Sequence, residues 1–372
     1  MTGSSSSRRS FTPASAPGVR PLVSVIVPVR NEERFVQGCL TAILEQDYPP
    51  ERLEILVADG MSEDRTREFI ATLPAGGRIR VIDNPARLQA AGLNLCIAAA
   101  RGDVLIRVDG HTVIARDYVA TCVDTLAETG AWSVGGAITG GWTTPMGRAI
   151  AVASSSPFAV PGAFHSSVRA CFTDTVYLGA WPADVIRSVN GFRAELAINE
   201  DYELNHRIRS AGGRIFYSPK IRCTYFGRQT IPELGRQYFR YGRGKVEVLA
   251  RHPRSLKWRH LVAPAFVAAL VATPALSIWT SLAALIWLAT VLAYVGANLL
   301  ASIKIALREG VAVLPAVALA FATMHVCWGA GFWREVFSRS AGLARPGNEG
   351  DGRTPGTEPF MGAPSSRVRR LP

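Results

Sequence analysis

The residues that could do chemistry cluster first in Gly102-Asp103-Val104-Leu105-Ile106-Arg107-Val108-Asp109-Gly110-His111, where an apolar β-like run stops on an acid, a glycine and a histidine. A strand ending this way puts three groups at a sheet's carboxyl edge, where open α/β sheets bind ligands. Asp109 and His111 can both ligate a divalent cation, and Gly110 lets a phosphate come close to the backbone. An ordinary Asp-Gly turn is the plain alternative. Other carboxylates stand at comparable places. Glu32-Glu33 follows a first apolar run, Asp59-Gly60 closes a second, and Glu200-Asp201 opens a stretch of helical spacing. Each has its own plain reading as a helix cap or an acidic first turn.

Such groups need a scaffold, and the chain supplies one in order. Residues 22–28 read as a buried strand, and Asn31 as the cap of a helix carrying Phe35, Val36, Cys39, Leu40, Ile43 and Leu44 at helical spacing. Residues 54–58 form a second strand, Ser62 or Asp64 opens another helix, and residues 78–82 a third strand. Residues 86–100 are helical and 103–108 a fourth strand. This alternation with brief connections predicts an α/β fold with a doubly wound, mostly parallel sheet. Residues 132–179 fade into Gly-, Ser- and Pro-rich sequence, expected to be irregular and to shape an acceptor site or a lid. Order returns at 185–191 and in a helix at 200–210 with Leu204 and Ile208 inward.

The C-terminal third is different. After Pro232 an amphipathic stretch runs to Leu249, its Tyr238, Phe239 and Tyr241 alternating with arginines as in an interfacial helix. Residues 261–303 carry no charged side chain, enough for two spans of roughly 20 residues across about 30 Å of hydrocarbon. The turn is expected at 274–281, and residues 310–333 are a third uncharged run. The resulting division is a disordered tail at 1–20, a catalytic domain at 21–230, an interfacial segment at 231–260, a transmembrane region at 261–335 and a second tail at 336–372. The first tail has no apolar signal core. With the catalytic domain in the cytosol, a hairpin returns Lys304 and Arg308 there, as positive-inside bias prefers. A third full span would export the arginine-bearing tail, so that segment is re-entrant or the tail is an exception.

Lys plus Arg number 41 against 29 Asp plus Glu, a net charge of +12. Between Arg222 and Arg259 there are ten basic and two acidic residues, directly before the apolar region. Such a block suits an anionic leaflet or a pyrophosphate-bearing substrate. Nucleic acid is disfavoured, because no binding motif accompanies the charge. The six cysteines have no metal-type spacing and read as reduced, buried small hydrophobes. His165, His206 and His325 lack ligand spacing and read as structural.

Together these motifs resemble the family 2 glycosyltransferases, whose fold is called GT-A. Residues 25–33, with Pro28, Val29, Arg30 and Glu32, are similar to that family's opening strand and loop. Asp59-Gly60-Met61-Ser62-Glu63-Asp64-Arg65-Thr66 resembles its second-strand motif, and Asp109-Gly110-His111 sits where it keeps an Asp-x-Asp metal motif. Asn199-Glu200-Asp201-Tyr202-Glu203-Leu204 resembles its Glu-Asp catalytic motif. Gln237-Tyr238-Phe239-Arg240-Tyr241 is similar to the Gln-x-x-Arg-Trp motif of membrane-linked members. The Arg-Val-Asp-x-His pattern and the 84–94 stretch around Arg87 resemble the succinoglycan-type ExoA glycosyltransferases of exopolysaccharide assembly, over residues 22–335.

The resemblance implies that Asp59 accepts the uracil N–H of a UDP-sugar, and that Glu32 faces the nucleotide or only favours its helix. Arg87 meets the diphosphate or is a solvated side chain. Asp109 and His111 would position a divalent cation, Mg2+ or Mn2+, that screens the departing diphosphate. His111 brings no negative charge where the family has a second Asp, which should weaken Mg2+ binding and favour Mn2+. Asp201 is the general base that takes the acceptor hydroxyl's proton, with Glu200 as alternate. Gln237, Arg240 and Arg243, with Tyr241 beside them, would grip a donor or lipid diphosphate, or merely face the membrane surface. Trp181 would stack on an acceptor sugar, or else is a buried aromatic.

The expected protein is an inverting glycosyltransferase of the plasma membrane, multi-pass, with a cytoplasmic catalytic domain. It would move a sugar from a UDP-sugar to a polyprenyl-diphosphate-linked saccharide. A processive polysaccharide synthase and a non-catalytic nucleotide-sugar-binding scaffold are the alternatives.

Overall fold

Val23, Val25, Val27 and Val29 alternate with Ser24, Ile26 and Pro28, so a strand here offers an apolar residue to each side of a sheet. That strand, β1 (Val23–Val29), is the centre of the structure, a computed structural model describing residues 19–159, 169–196, 198–341 and 369–370. The N-terminal tail up to residue 18, His165 and most of the C-terminal tail lie outside the described residues. In chain order follow α1 (Val36–Leu44), β2 (Leu53–Asp59), α2 (Thr66–Ala71), β3 (Ile79–Asp83), α3 (Gln89–Ala99), β4 (Val104–Arg107) and β5 (Thr112–Ile114). Then come α4 (Tyr118–Thr129), β6 (Ser133–Gly141), α5 (Pro145–Ser154), β7 (Cys171–Thr173), β8 (Ala180–Pro182), α6 (Ala183–Ser188), α7 (Glu200–Ser210) and β9 (Ile215–Phe226). The chain closes with α8 (Ile231–Arg251), α9 (Val262–Leu276), α10 (Ser281–Glu309), α11 (Leu314–Ser340) and the short β10 (Arg369–Arg370).

The strands form one sheet in the order β10-β3-β2-β1-β4-β8-β6-β9-β5, with β7 beside β9. From β3 to β4 all pairings are parallel, as the β-α alternation predicts. The other half is mixed. There β8 runs antiparallel between β4 and β6, β6 and β9 are parallel, and β5 is antiparallel to β9. Two apolar layers cover the sheet. Val25 and Val27 point to the layer of α1 and α4, with Val36, Leu40, Tyr118 and Leu126, while Ile26 points to that of α3, α6 and α7, with Leu93, Ile186 and Leu204.

The first-loop expectation is corrected. Asn31 does not cap α1; it has φ 54, its Oδ1 accepts from Glu63 N at 2.9 Å, and the helix starts at Val36. Residues 132–179 are not irregular throughout, because β6 and α5 lie within them. The strand escaped the pattern because four of its nine residues are glycines. At Gly136 a Cβ would fall on the Ile221 carbonyl, and at Gly135 within 2.7 Å of Val176 Cβ. Close approach selects glycine and erases apolar alternation. All six cysteines are free, but only four are buried; Cys171 is exposed and Cys327 half-buried.

Helices α9, α10 and α11 are long and apolar enough to cross a membrane. Helix α9 runs through Pro274, so the turn to α10 narrows to residues 277–280. Residues 336–340, given to the tail by composition, are the last residues of α11. Leu282, Leu285, Leu292 and Leu300 of α10 are exposed, as lipid-facing side chains would be. Helix α11 lies against α8 at backbone distance, since a Cβ at Gly242 would meet the Trp328 carbonyl and one at Gly331 the Phe239 carbonyl. A third apolar cluster joins α5, α8 and α11 through Ile150, Leu234, Phe321 and Met324.

Candidate active site

Distant chain segments meet at one cavity of about 520 Å³ at the carboxyl edge of the sheet, one wall of it the end of β6 and α5. The end of β4 and its turn supply Arg107, Asp109 and His111; the start of α7 supplies Asn199, Glu200 and Asp201; β9 and its loop supply Tyr225 and Arg228; and α8 supplies Gln237, Arg240 and Tyr241. Thus Asp109, His111, Glu200, Asp201, Gln237, Arg240 and Tyr241, singled out in sequence from distant places, share one chamber.

Arg107 ties the two acidic groups together. Its guanidinium donates to Asp109 at 2.7 and 3.2 Å and to Glu200 at 3.0 Å, with Phe192 stacked 5.7 Å away. All three charged partners are buried. Burial works against the Arg107 charge, but Asp109 and Glu200 more than offset it and hold its pKa above the ordinary value. Burial raises the Glu200 carboxyl, with Arg107 opposing and Asp201 adding to the shift. Arg107 Nη1 and Asn199 Nδ2 are buried without a hydrogen-bond partner, two donors in the chamber's lining. Asp201 Oδ1 accepts from the Tyr202 backbone N–H at 2.6 Å.

His111 is fixed from behind. Its Nδ1 lies 2.8 Å from Glu32 Oε1, leaving Nε2 as the open nitrogen. Burial lowers the imidazole's pKa, but Glu32 and then Asp109 outweigh it, and the net shift is upward. Glu32 therefore faces the histidine, and Val29 belongs to the same support. A Cβ at Gly110 would come 2.8 Å from Val29 Cγ1 and 3.2 Å from Glu32 Cγ, so only glycine fits between these loops. Gly60 N donates to Val29 O at 2.8 Å, and Arg30 covers Gly60. The loops after β1, β2 and β4, with Pro28 inside β1, thus form one edge beside the chamber.

Other expected site residues lie elsewhere. The Asp59 carboxylate is fully enclosed, accepting from Ser62 N, Ser62 Oγ and Arg67 Nε. Arg87 is half-exposed, 3.4 Å from Glu63, and outside the chamber's lining. Arg243 points away from the chamber to Glu335 of α11 at 3.1 Å. Trp181 is 2% exposed, packed edge-on to Phe192 within the core, so it does not stack on an acceptor; the buried-aromatic reading holds. Its position on β8, between two strands, fixes that fate.

Sequence reasoning assigned no role to Arg107 or Lys245. An arginine in an otherwise apolar strand, two residues before an acid, was the available signal for the first. Lys245 on α8 is 6% exposed, with Nζ 3.4 Å from the centre of the Tyr202 ring. Burial lowers its pKa to about 8, while Asp201 pulls the other way.

The sequence matches the family models Glycosyl transferase family 2 over residues 24–145 and Glycosyl transferase family group 2 over residues 104–297. Succinoglycan biosynthesis protein ExoA of Rhizobium meliloti (strain 1021) is 30% identical over 320 residues, 84% of this chain and 94% of that one. A dolichyl N-acetyl-alpha-D-glucosaminyl phosphate glucuronosyltransferase of Methanococcus voltae is 26% identical over 245 residues, 63% of this chain and 76% of its own. In fold, the chain is similar to mannosyltransferase PcManGT from Pyrobaculum calidifontis, solved with GDP-Man and Mn2+. That TM-score is 0.55 at 22% identity, covering 88% of this chain and 90% of that one. An ExoA relative matched over nearly its whole length, and a family model spanning more than half of the sequence, make this chain a family 2 glycosyltransferase of the GT-A fold.

Proposed function

We propose that this glycosyltransferase moves a sugar from a UDP-sugar, with inversion, to a hydroxyl of a saccharide carried on a polyprenyl diphosphate at the inner face of the plasma membrane. The observation that carries the reading is the single chamber in which Asp109 and His111 face Glu200 and Asp201, with Gln237 and Arg240 on the membrane-side helix. The exposed apolar hairpin and the basic residues of α8 support a membrane-borne acceptor.

The residues present fit a divalent cation. An imidazole held by a carboxylate at one nitrogen and open at the other is how metal-ligating histidines are usually supported. Asp109 keeps lone pairs beyond its two bonds from Arg107. Among the described residues no three His, Cys, Asp or Glu side chains form a metal cluster, so Asp109 and His111 would share the ion with substrate phosphates and water, as Mg2+ and related ions accept. When bound, the ion supplies Lewis-acid neutralisation of the leaving diphosphate. The imidazole favours Mn2+ over Mg2+.

The chain's own groups do the rest. Asp201 accepts the proton of the acceptor hydroxyl as that oxygen bonds to the anomeric carbon, and the bond to the diphosphate breaks on the opposite side, releasing UDP. Arg107 holds Asp109 and Glu200 in register, while Arg240 and Arg228 offer cationic donors to the departing oxygens. Asp59 receives the uracil N–H once Arg67, 43% exposed, swings aside.

Asp201→Asn tests the assignment. The variant is expected to lose transfer by at least 100-fold while binding UDP within twofold of the parent. An Asn variant that still transfers sugar rules out Asp201 as the base. Product length on one acceptor separates single transfer from processive synthesis, one added sugar against a ladder.

A further inference from the structure

Resting on the lipid-linked acceptor reading above, we propose that a second cavity, between the end of β6, α5 and the last turns of α10, holds the diphosphate head of the polyprenyl carrier. This cavity, about 1030 Å³, shares Ile138, Gly140, Ala151 and Ser155 with the catalytic chamber. A saccharide anchored in the one reaches Asp201 in the other across the wall these four residues share.

Three observations choose the occupant. The first is depth. Helix α10 has 29 residues, about 43 Å at ~1.5 Å per residue, while the hydrocarbon layer is only ~30 Å thick. Its last turns therefore stand at headgroup level, where a carrier's phosphates lie. The second is charge. Lys304 and Arg308, one turn apart, line the cavity and have no ion-pair or hydrogen-bonding partner among the described residues. The one acid beside them is already neutralised, because Arg148 of α5 pairs with Glu309 at 2.7 Å and donates to its backbone carbonyl at 3.2 Å. Two free cations remain to face a diphosphate, and the Arg148 bond fastens α5 to the end of α10. The third is lining. Leu300, Ile303, Phe158 and Trp142 give the cavity an apolar side continuous with the exposed face of α10, a path for the isoprenoid chain.

The experiment uses the full chain in phosphatidylcholine nanodiscs, saturated with UDP so that the catalytic chamber is blocked, and radiolabelled farnesyl diphosphate as probe. Farnesyl diphosphate is expected to bind. Lys304→Glu combined with Arg308→Glu should weaken binding at least tenfold, and Ala301→Trp, which fills the cavity without changing charge, should do likewise. UDP affinity, within twofold of the parent in both, certifies the fold; should the charge variant unfold, the tryptophan variant carries the test alone. Unchanged farnesyl diphosphate affinity in a folded variant overturns the proposal. So does equal displacement by inorganic pyrophosphate, by farnesol or by short-chain phosphatidylglycerol, each of which points to a different ligand. A parent protein that binds farnesyl diphosphate but not UDP contradicts the donor reading instead, and this cavity's assignment then stands or falls on whether Ala301→Trp weakens that binding.

Discussion

At the scale of single residues, Asp201 has a buried cationic neighbour that lies outside the chamber lining. The Lys245 ammonium sits beside Asp201, against the Tyr202 ring, with Asp174, Lys257, Arg259 and His260 around it. Because burial brings its pKa down to about 8, it is protonated below that pH and neutral above it. Only in the charged state does it present a positive charge to the Asp201 side chain. The kcat profile is thus expected to fall on the alkaline side near pH 8. In Lys245→Met the fall should vanish, read from steady-state rates between pH 5.5 and 9.5. A variant with the parent's profile would remove Lys245 from the account. Arg107 acts differently, bridging by hydrogen bonds two buried acids 91 positions apart in sequence. Sequence made both acids legible, since each ends or opens a regular element. The bridge between them was not legible, because it arises only when β4 and α7 meet in space.

At the scale of elements, the parallel half of the sheet was readable because its strands are mostly apolar and β1, β2 and β3 are each followed by a helix. The mixed half was not. There β6 spends its positions on glycine, and β8 is three residues long, too short to carry a period. The same small-residue logic joins α8 to α11, and it can be measured by one substitution at two sites. Gly242→Ala drives a methyl into the Trp328 carbonyl and is expected to cost about 1–3 kcal/mol, lowering the thermal midpoint by several degrees. Gly296→Ala on α10, with no atom within 4 Å of the new Cβ, should leave the midpoint unchanged or raise it slightly. Equal effects at the two sites would mean that backbone contact does not hold α8 on α11.

At the scale of the whole molecule, two kinds of attraction to lipid are superposed. The basic stretch before α9 is screened by salt, whereas the apolar surface of α9 and α10 is not. The full chain is expected to float with phosphatidylcholine vesicles even in 1 M sodium chloride, with anionic lipid adding only a salt-sensitive increment. Release by salt alone would make the charges the sole anchor.

The glycine seam between α8 and α11 also decides where the protein can be cut. Helix α8 lends Gln237, Arg240 and Tyr241 to the reaction chamber, and its opposite side is closed by α11. A soluble fragment ending before α9 would sacrifice more than its mooring. It would bare a stripe of backbone that water must cover, and the chamber wall that α8 forms would lose its backing.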